Sequence, residues 1–103
     1  MSTYARYTIH VPVRDDTGNE IPHVLGNARR ALTTAGFHGR TVIRKTQGDY
    51  GDFDTQEMDL IMVDAPNDEK TRNAMRALAK GIKHEVNQDA VYLTVQPIEY
   101  EMI

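Results

Sequence analysis

Met58-Asp59-Leu60-Ile61-Met62-Val63 (MDLIMV) decides how the chain folds. Its last four residues are apolar at consecutive positions, so a strand through them is covered on both faces. Such a strand belongs centrally in a sheet. Asp59 lies inside this strand. A carboxylate that is buried needs a partner, and a cross-strand arginine is one candidate.

Upstream, Thr41–Thr46 reads as a short β-branched strand, broken by glycines and acids across Gln47–Gln56. Before it, Ile21, Val24, Leu25, Ala28, Leu32 and Ala35 fall on one helical stripe, with Arg29 and Arg30 off it. Asn19 is the expected cap, Pro22 sits in the first turn and Gly36 is the expected stop. Arg14–Glu20 is a polar turn. Earlier still, Tyr4–Val13 alternates: Tyr7, Ile9, Val11 and Val13 point one way, and Arg6, Thr8 and His10 the other. Downstream of the central strand, Asp68 and Glu69 suit the positive end of a helix whose stripe is Ala74, Met75, Leu78, Ile82 and Val86. Asn87–Asp89 closes it. Ala90–Ile98 then forms a last strand, with Val91, Leu93 and Val95 opposite Tyr92, Thr94 and Gln96.

The order β-α-β-β-α-β, with right-handed crossovers, favours an α+β, ferredoxin-like split sheet. Its four antiparallel strands would run 4-1-3-2, with both helices on one face. The other face would be open, carrying Arg6, Thr8, His10, Tyr92, Thr94 and Gln96. Such a face is solvated, packed on a second subunit, or used for a ligand.

The 103 residues fit a single domain spanning 1–103, and 40% hydrophobic content supplies a core. A net charge of -3 does not suit a protein that coats nucleic acid. RNA-binding sheets of this type also stack bases on aromatics of the first and third strands, and the third strand here has none. The absence of cysteine excludes disulfides and thiol catalysis and fits a reducing cytoplasm. The N-terminus MSTYARYTIHVPV has no signal-like region, and no apolar run reaches the ~20 residues of a membrane helix. A cytoplasmic protein without membrane or nucleic-acid partners is expected.

Chemistry is sparsely signalled. Gly36–Asp54 (GFHGRTVIRKTQGDYGDFD) offers Arg40, Arg44 and Lys45 beside glycines that include Gly48 and Gly51. Backbone N–H groups and arginines that converge bind anions. The ordinary reading is a twisted edge hairpin whose basic residues discourage edge pairing. The acids Asp49, Asp52, Asp54, Glu57 and Asp59 lack the EF-hand spacing and read as a solvated turn. His10, His23, His38 and His84 have no zinc spacing, and Ser2 is the sole serine, so no catalytic triad, metal or cofactor is expected. His10 near Tyr92 could act as a general base.

The motif G-x-T-V-x-R…G-x-x-G (Gly39, Thr41, Val42, Arg44, Gly48, Gly51) resembles the segment entering the long loop of PII-like signal proteins. That resemblance implies a ferredoxin-like homo-oligomer binding nucleotides in clefts between subunits. Two features depart from the pattern. The loop after Gly48 is shorter, and Asn87-Gln88-Asp89 stands where a glycine-lysine phosphate-binding segment would be. The compact chain and its Asn87–Tyr92 segment (NQDAVY) also resemble small accessory proteins of bacteriophages. The leading expectation is a non-enzymatic protein, dimeric or trimeric, that binds or sequesters a small anionic, nucleotide-like ligand at a subunit interface. The alternatives are a module that modulates a host protein and a small dimeric enzyme using His10 and Tyr92.

Overall fold

The computed structural model describes residues 3–49, 55–88 and 90–103. Six elements follow in the order β1 (Tyr4–Pro12), α1 (Pro22–Thr34), β2 (Thr41–Asp49), β3 (Thr55–Pro66), α2 (Glu69–Val86) and β4 (Leu93–Ile98). The four strands form one antiparallel sheet in the order β2-β3-β1-β4, as the sequence predicts. MDLIMV does lie in an inner strand.

The period of two along β1 places Ala5, Tyr7, Ile9 and Val11 under the helices, each almost wholly buried. Ala5, Tyr7 and Ile9 meet Ala65, Val63 and Ile61 of β3 in register, Val11 meets Asp59, and all four pack with Val24, Leu25, Ala28 and Leu32 of α1 and Met75, Ile82 and Val86 of α2. Tyr7 is fully buried, and its hydroxyl donates to the Pro66 carbonyl at 2.8 Å, which removes the penalty of an unpaired phenol. Asn27 donates to Glu85 and His23 lies 3.8 Å from the same carboxylate, so the start of α1 is pinned to the end of α2.

Both helices end alike. After α1, Gly36 at φ +94 lets its own N–H reach Thr33 O and that of Phe37 reach Leu32 O. After α2, Asn87 takes the left-handed position at φ 54, and Gln88 donates to Lys83 O. Their starts differ. Asp68 accepts from Thr71 N–H at 2.8 Å and caps α2. The expected cap Asn19 does not cap α1, whose cap position is Ile21, without a side-chain bond, followed by Pro22 in the first turn. Asn19 is occupied by Asp15: its N–H donates to the Asp15 carboxylate, and its carbonyl accepts from Asp15 N–H. A turn closed on both sides in this way leaves it no freedom to reach the helix.

The strand bounds also shift. The expected break over Gln47–Gln56 does not start at Gln47. Gln47, Gly48 and Asp49 pair with Glu57, Gln56 and Thr55, and only 50–54, outside the described residues, separate β2 from β3. At β4 the strand starts at Leu93 rather than Ala90, although Tyr92 still accepts a backbone bond from His10 at 3.0 Å. That bond fixes the alternation of β4: residues 92, 94, 96 and 98 bond inward to β1, and 93, 95 and 97 face the free edge. Pro97 thus sits where its missing N–H costs nothing inside the sheet. Among the described residues, no helix is long and apolar enough to cross a membrane.

Candidate functional site

The face of the sheet away from the helices is arranged in cross-strand rows. The first row is Tyr92, His10, Leu60 and Ile43. The second is Thr94, Thr8, Met62 and Thr41. The third is Gln96, Arg6 and Asp64. Beyond it, Tyr4 lies between Ile98 and Pro66, its ring 5.4 Å from that of Tyr100. Strand parity thus brings Arg6, His10, Tyr92 and Gln96 to one face, which passes from the Tyr92 ring through threonines to the Arg6–Asp64 pair, with the Tyr4 ring beyond.

In the first row the rings of His10 and Tyr92 meet edge to face at 5.7 Å. Tyr92 is 58% exposed and Ile43 42%, while His10 and Leu60 are half-buried. Burial lowers the His10 imidazole below its ordinary value, so the ring is neutral at neutral pH. In the third row Arg6 holds Asp64 through two parallel bonds of 2.9 and 3.0 Å. These bonds first, and the Asp64 charge second, hold the guanidinium above its ordinary value.

The cations singled out in the sequence separate into two places. Arg44 and Lys45 form a β-bulge, two residues facing the single Asp59 of β3. Lys45 takes φ 54, a left-handed conformation unusual for a lysine. Asp59 explains how it persists. Its side chain is only 6% exposed, and one carboxylate oxygen accepts from Arg44 Nε at 3.1 Å and from Lys45 N–H at 2.9 Å. The expected arginine partner of Asp59 is therefore Arg44. Around the bulge, Lys45 Nζ is 3.7 Å from Glu20, and Arg14 stands 3.5 Å from both Glu20 and Glu57.

Arg40 lies beyond the other end of Thr41–Ile43. Its Nη1 donates to Thr33 Oγ1 and Phe37 O at the end of α1. It lines a cleft of about 250 Å³ with Arg6, Gly39, Thr41, Met62 and Asp64. Gly48 pairs within β2, and Gly51 lies outside the described residues, as do Asp52 and Asp54. Among the described residues, no three histidines or acids converge on a metal position. The cleft had no sequence signal, because Arg6 and Arg40 are far apart in the chain and meet only through the strand order.

These features define an open-faced, four-stranded α+β protein with a graded sheet face and a carboxylate-locked bulge. No protein-family model matches the chain, and no curated protein sequence matches it. Solved structures do. A phage SAM lyase in complex with S-methyl-5'-thioadenosine matches with a TM-score of 0.70 and 15% identity, over 94% of this chain and 83% of that one. The phage SAM lyase in its apo state matches at 0.61 and 16%, over 96% and 91%. CutA1 from Oryza sativa, of the PII-like ferredoxin fold, matches at 0.59 and 10%, over 98% and 85%. At these identities the likeness is one of fold.

Proposed function

We propose that the protein binds a small adenosine-derived ligand of the S-adenosylmethionine or S-methyl-5'-thioadenosine class, held at a seam between copies of the chain. The observation that carries this reading is the fold likeness, over nearly the whole chain, to a lyase holding such a nucleoside. The site chemistry supports it. The exposed Tyr92 ring, backed by neutral His10, offers a nucleobase a flat partner. Arg44 and Lys45 stand on the outer β2 edge, turned to Asp59 and Glu20 rather than to the Tyr92 row, where a copy packed at the seam would bring their remaining donors to the nucleoside. A second copy packed over the exposed apolar residues of this face would exclude water from the ligand.

Isothermal titration with S-methyl-5'-thioadenosine and with S-adenosylmethionine, beside native mass spectrometry, tests the reading. Binding with a defined ratio to a dimer or trimer is expected; failure of both compounds at millimolar concentration overturns it. Arg44→Ala should abolish binding while the far-ultraviolet spectrum and cooperative melt survive. Losing one charge-assisted bond costs on the order of 1–3 kcal/mol, within the roughly 5–15 kcal/mol stability of a small domain. Unchanged affinity would remove Arg44 from the site.

A second reading, cleavage of S-adenosylmethionine, is favoured by the activity named for the same neighbour. Chromatography of an incubation decides between the two. Release of S-methyl-5'-thioadenosine supports an enzyme, and bound but intact S-adenosylmethionine supports sequestration.

A further inference from the structure

The cleft at the charged end of the open face is chemically distinct from the aromatic end. Its walls bring two guanidinium groups, Arg6 and Arg40, to one carboxylate, Asp64. A purely anionic group would meet the Asp64 charge there, and a purely cationic one would meet the two arginines. A zwitterion satisfies both. Among the described residues, no hydrogen bond engages Nε or Nη2 of Arg40 or Nη1 of Arg6. A guanidinium edge left free matches the geometry of a carboxylate. Each Asp64 oxygen accepts one bond from Arg6 and keeps a lone pair for an ammonium donor. Arg40 is held in place by Thr33 and Phe37, so little freedom is lost when a ligand engages it.

The cleft also stands at a defined distance from the aromatic row. Rows on one face repeat every two residues, about 7 Å, so the first and third rows are about 14 Å apart. Between them lie Thr94, Thr8 and Thr41, whose hydroxyls suit a ribose.

We infer that this cleft receives the α-ammonium and α-carboxylate groups of an amino-acid-bearing nucleoside, the carboxylate on Arg40 and Arg6 and the ammonium on Asp64. The inference rests on the reading above for its nucleoside, but the cleft makes a separate claim: the protein recognises the amino-acid end of its ligand. S-adenosylhomocysteine carries that end, and S-methyl-5'-thioadenosine lacks it.

The test compares the two by titration calorimetry on the full chain. S-adenosylhomocysteine is expected to bind about tenfold or more tightly than S-methyl-5'-thioadenosine, the size of a charge-assisted contact. Asp64→Asn should erase that advantage and shift the thioadenosine affinity by less than about twofold. Gly39→Leu provides an independent variant. A Cβ there meets nothing within 4 Å, so the backbone accepts a side chain at the wall of the cleft, and a bulky apolar one beside Arg40 should also erase the preference. Equal affinity of the two nucleosides in the wild type, or a preference that survives both variants, overturns the inference. If neither nucleoside binds, the nucleoside reading fails and the cleft is judged on free L-methionine at millimolar concentration. Shifts of the Met62 methyl and Arg40 Nε resonances, absent in Asp64→Asn, keep the amino-acid site; no shift overturns it.

Discussion

Asp59 is the residue on which most of the local order around β2 depends. It is a carboxylate at 4% exposure within the otherwise apolar run Met58–Val63, and it is tolerated because two donors from one bulge converge on it. Removing it strands Arg44 and releases the Lys45 N–H that holds a left-handed backbone. Asp59→Ala should therefore lower stability by about 1–3 kcal/mol, read from the urea midpoint. Asp59→Asn, which keeps an acceptor for Lys45, should lose less. A midpoint unchanged in both variants would show that the bulge holds itself. The need for a partner was legible from the sequence, because a charge inside an apolar run carries its own demand. The bulge was not. Left-handed positions are usually signalled by glycine or asparagine, as at Gly36 and Asn87, and Lys45 gives no such sign. The anion-site expectation for Arg40, Arg44 and Lys45 treated them as one group. The bulge ties Arg44 and Lys45 to Asp59, while Arg40 is tied to the end of α1.

At the scale of elements, α2 is closed by a side chain at its start and by backbone bonds around Asn87 at its end, and its N-terminus titrates. The Thr71 N–H bond and then the Thr71 hydroxyl hold the Asp68 carboxyl below its ordinary value. The folded state thus favours the ionised form. The resulting stability is present above the usual carboxylate value and is lost as pH falls through the lowered one. Asp68→Asn keeps a capping acceptor but cannot titrate, so it should melt close to wild type at neutral pH and show a shallower loss of stability on acidification. Parallel pH dependences in the two proteins would assign the acid sensitivity elsewhere. The elements themselves were readable in order and type, because β1 alternates with a period of two and both helices carry apolar stripes. Their ends were less so. Gly48 pairs inside β2 despite its composition, since Gln56 lies opposite it, and Asn19 is held by Asp15 before it can cap α1.

For the molecule as a whole, one face of the sheet is committed to the core and the other is graded from Tyr92 to Arg6. The sequence yields the parity of that face but not its rows, because rows depend on the β1–β3 and β1–β4 registers, which only the folded chain fixes. The cleft between Arg6, Arg40 and Asp64 is a product of those registers. The outer edges of the sheet differ in kind. At β2 the bulge bends the edge and places Arg44 and Lys45 on it; at β4 the device is Pro97.

Pro97 can also be viewed as a stop codon for sheet growth. A foreign strand annealing to β4 finds donors at Leu93 and Val95 and then a blank at the next outward position, so templating ends after two rungs. Propagation into fibres, which needs an unbroken ladder, is starved at its first step. Pro97→Thr would reopen the ladder without touching the core. Its thioflavin-positive aggregates at raised temperature should appear sooner and depend more steeply on concentration than those of wild type, with little change in melting temperature. Identical lag times would place the protection at the β2 edge instead.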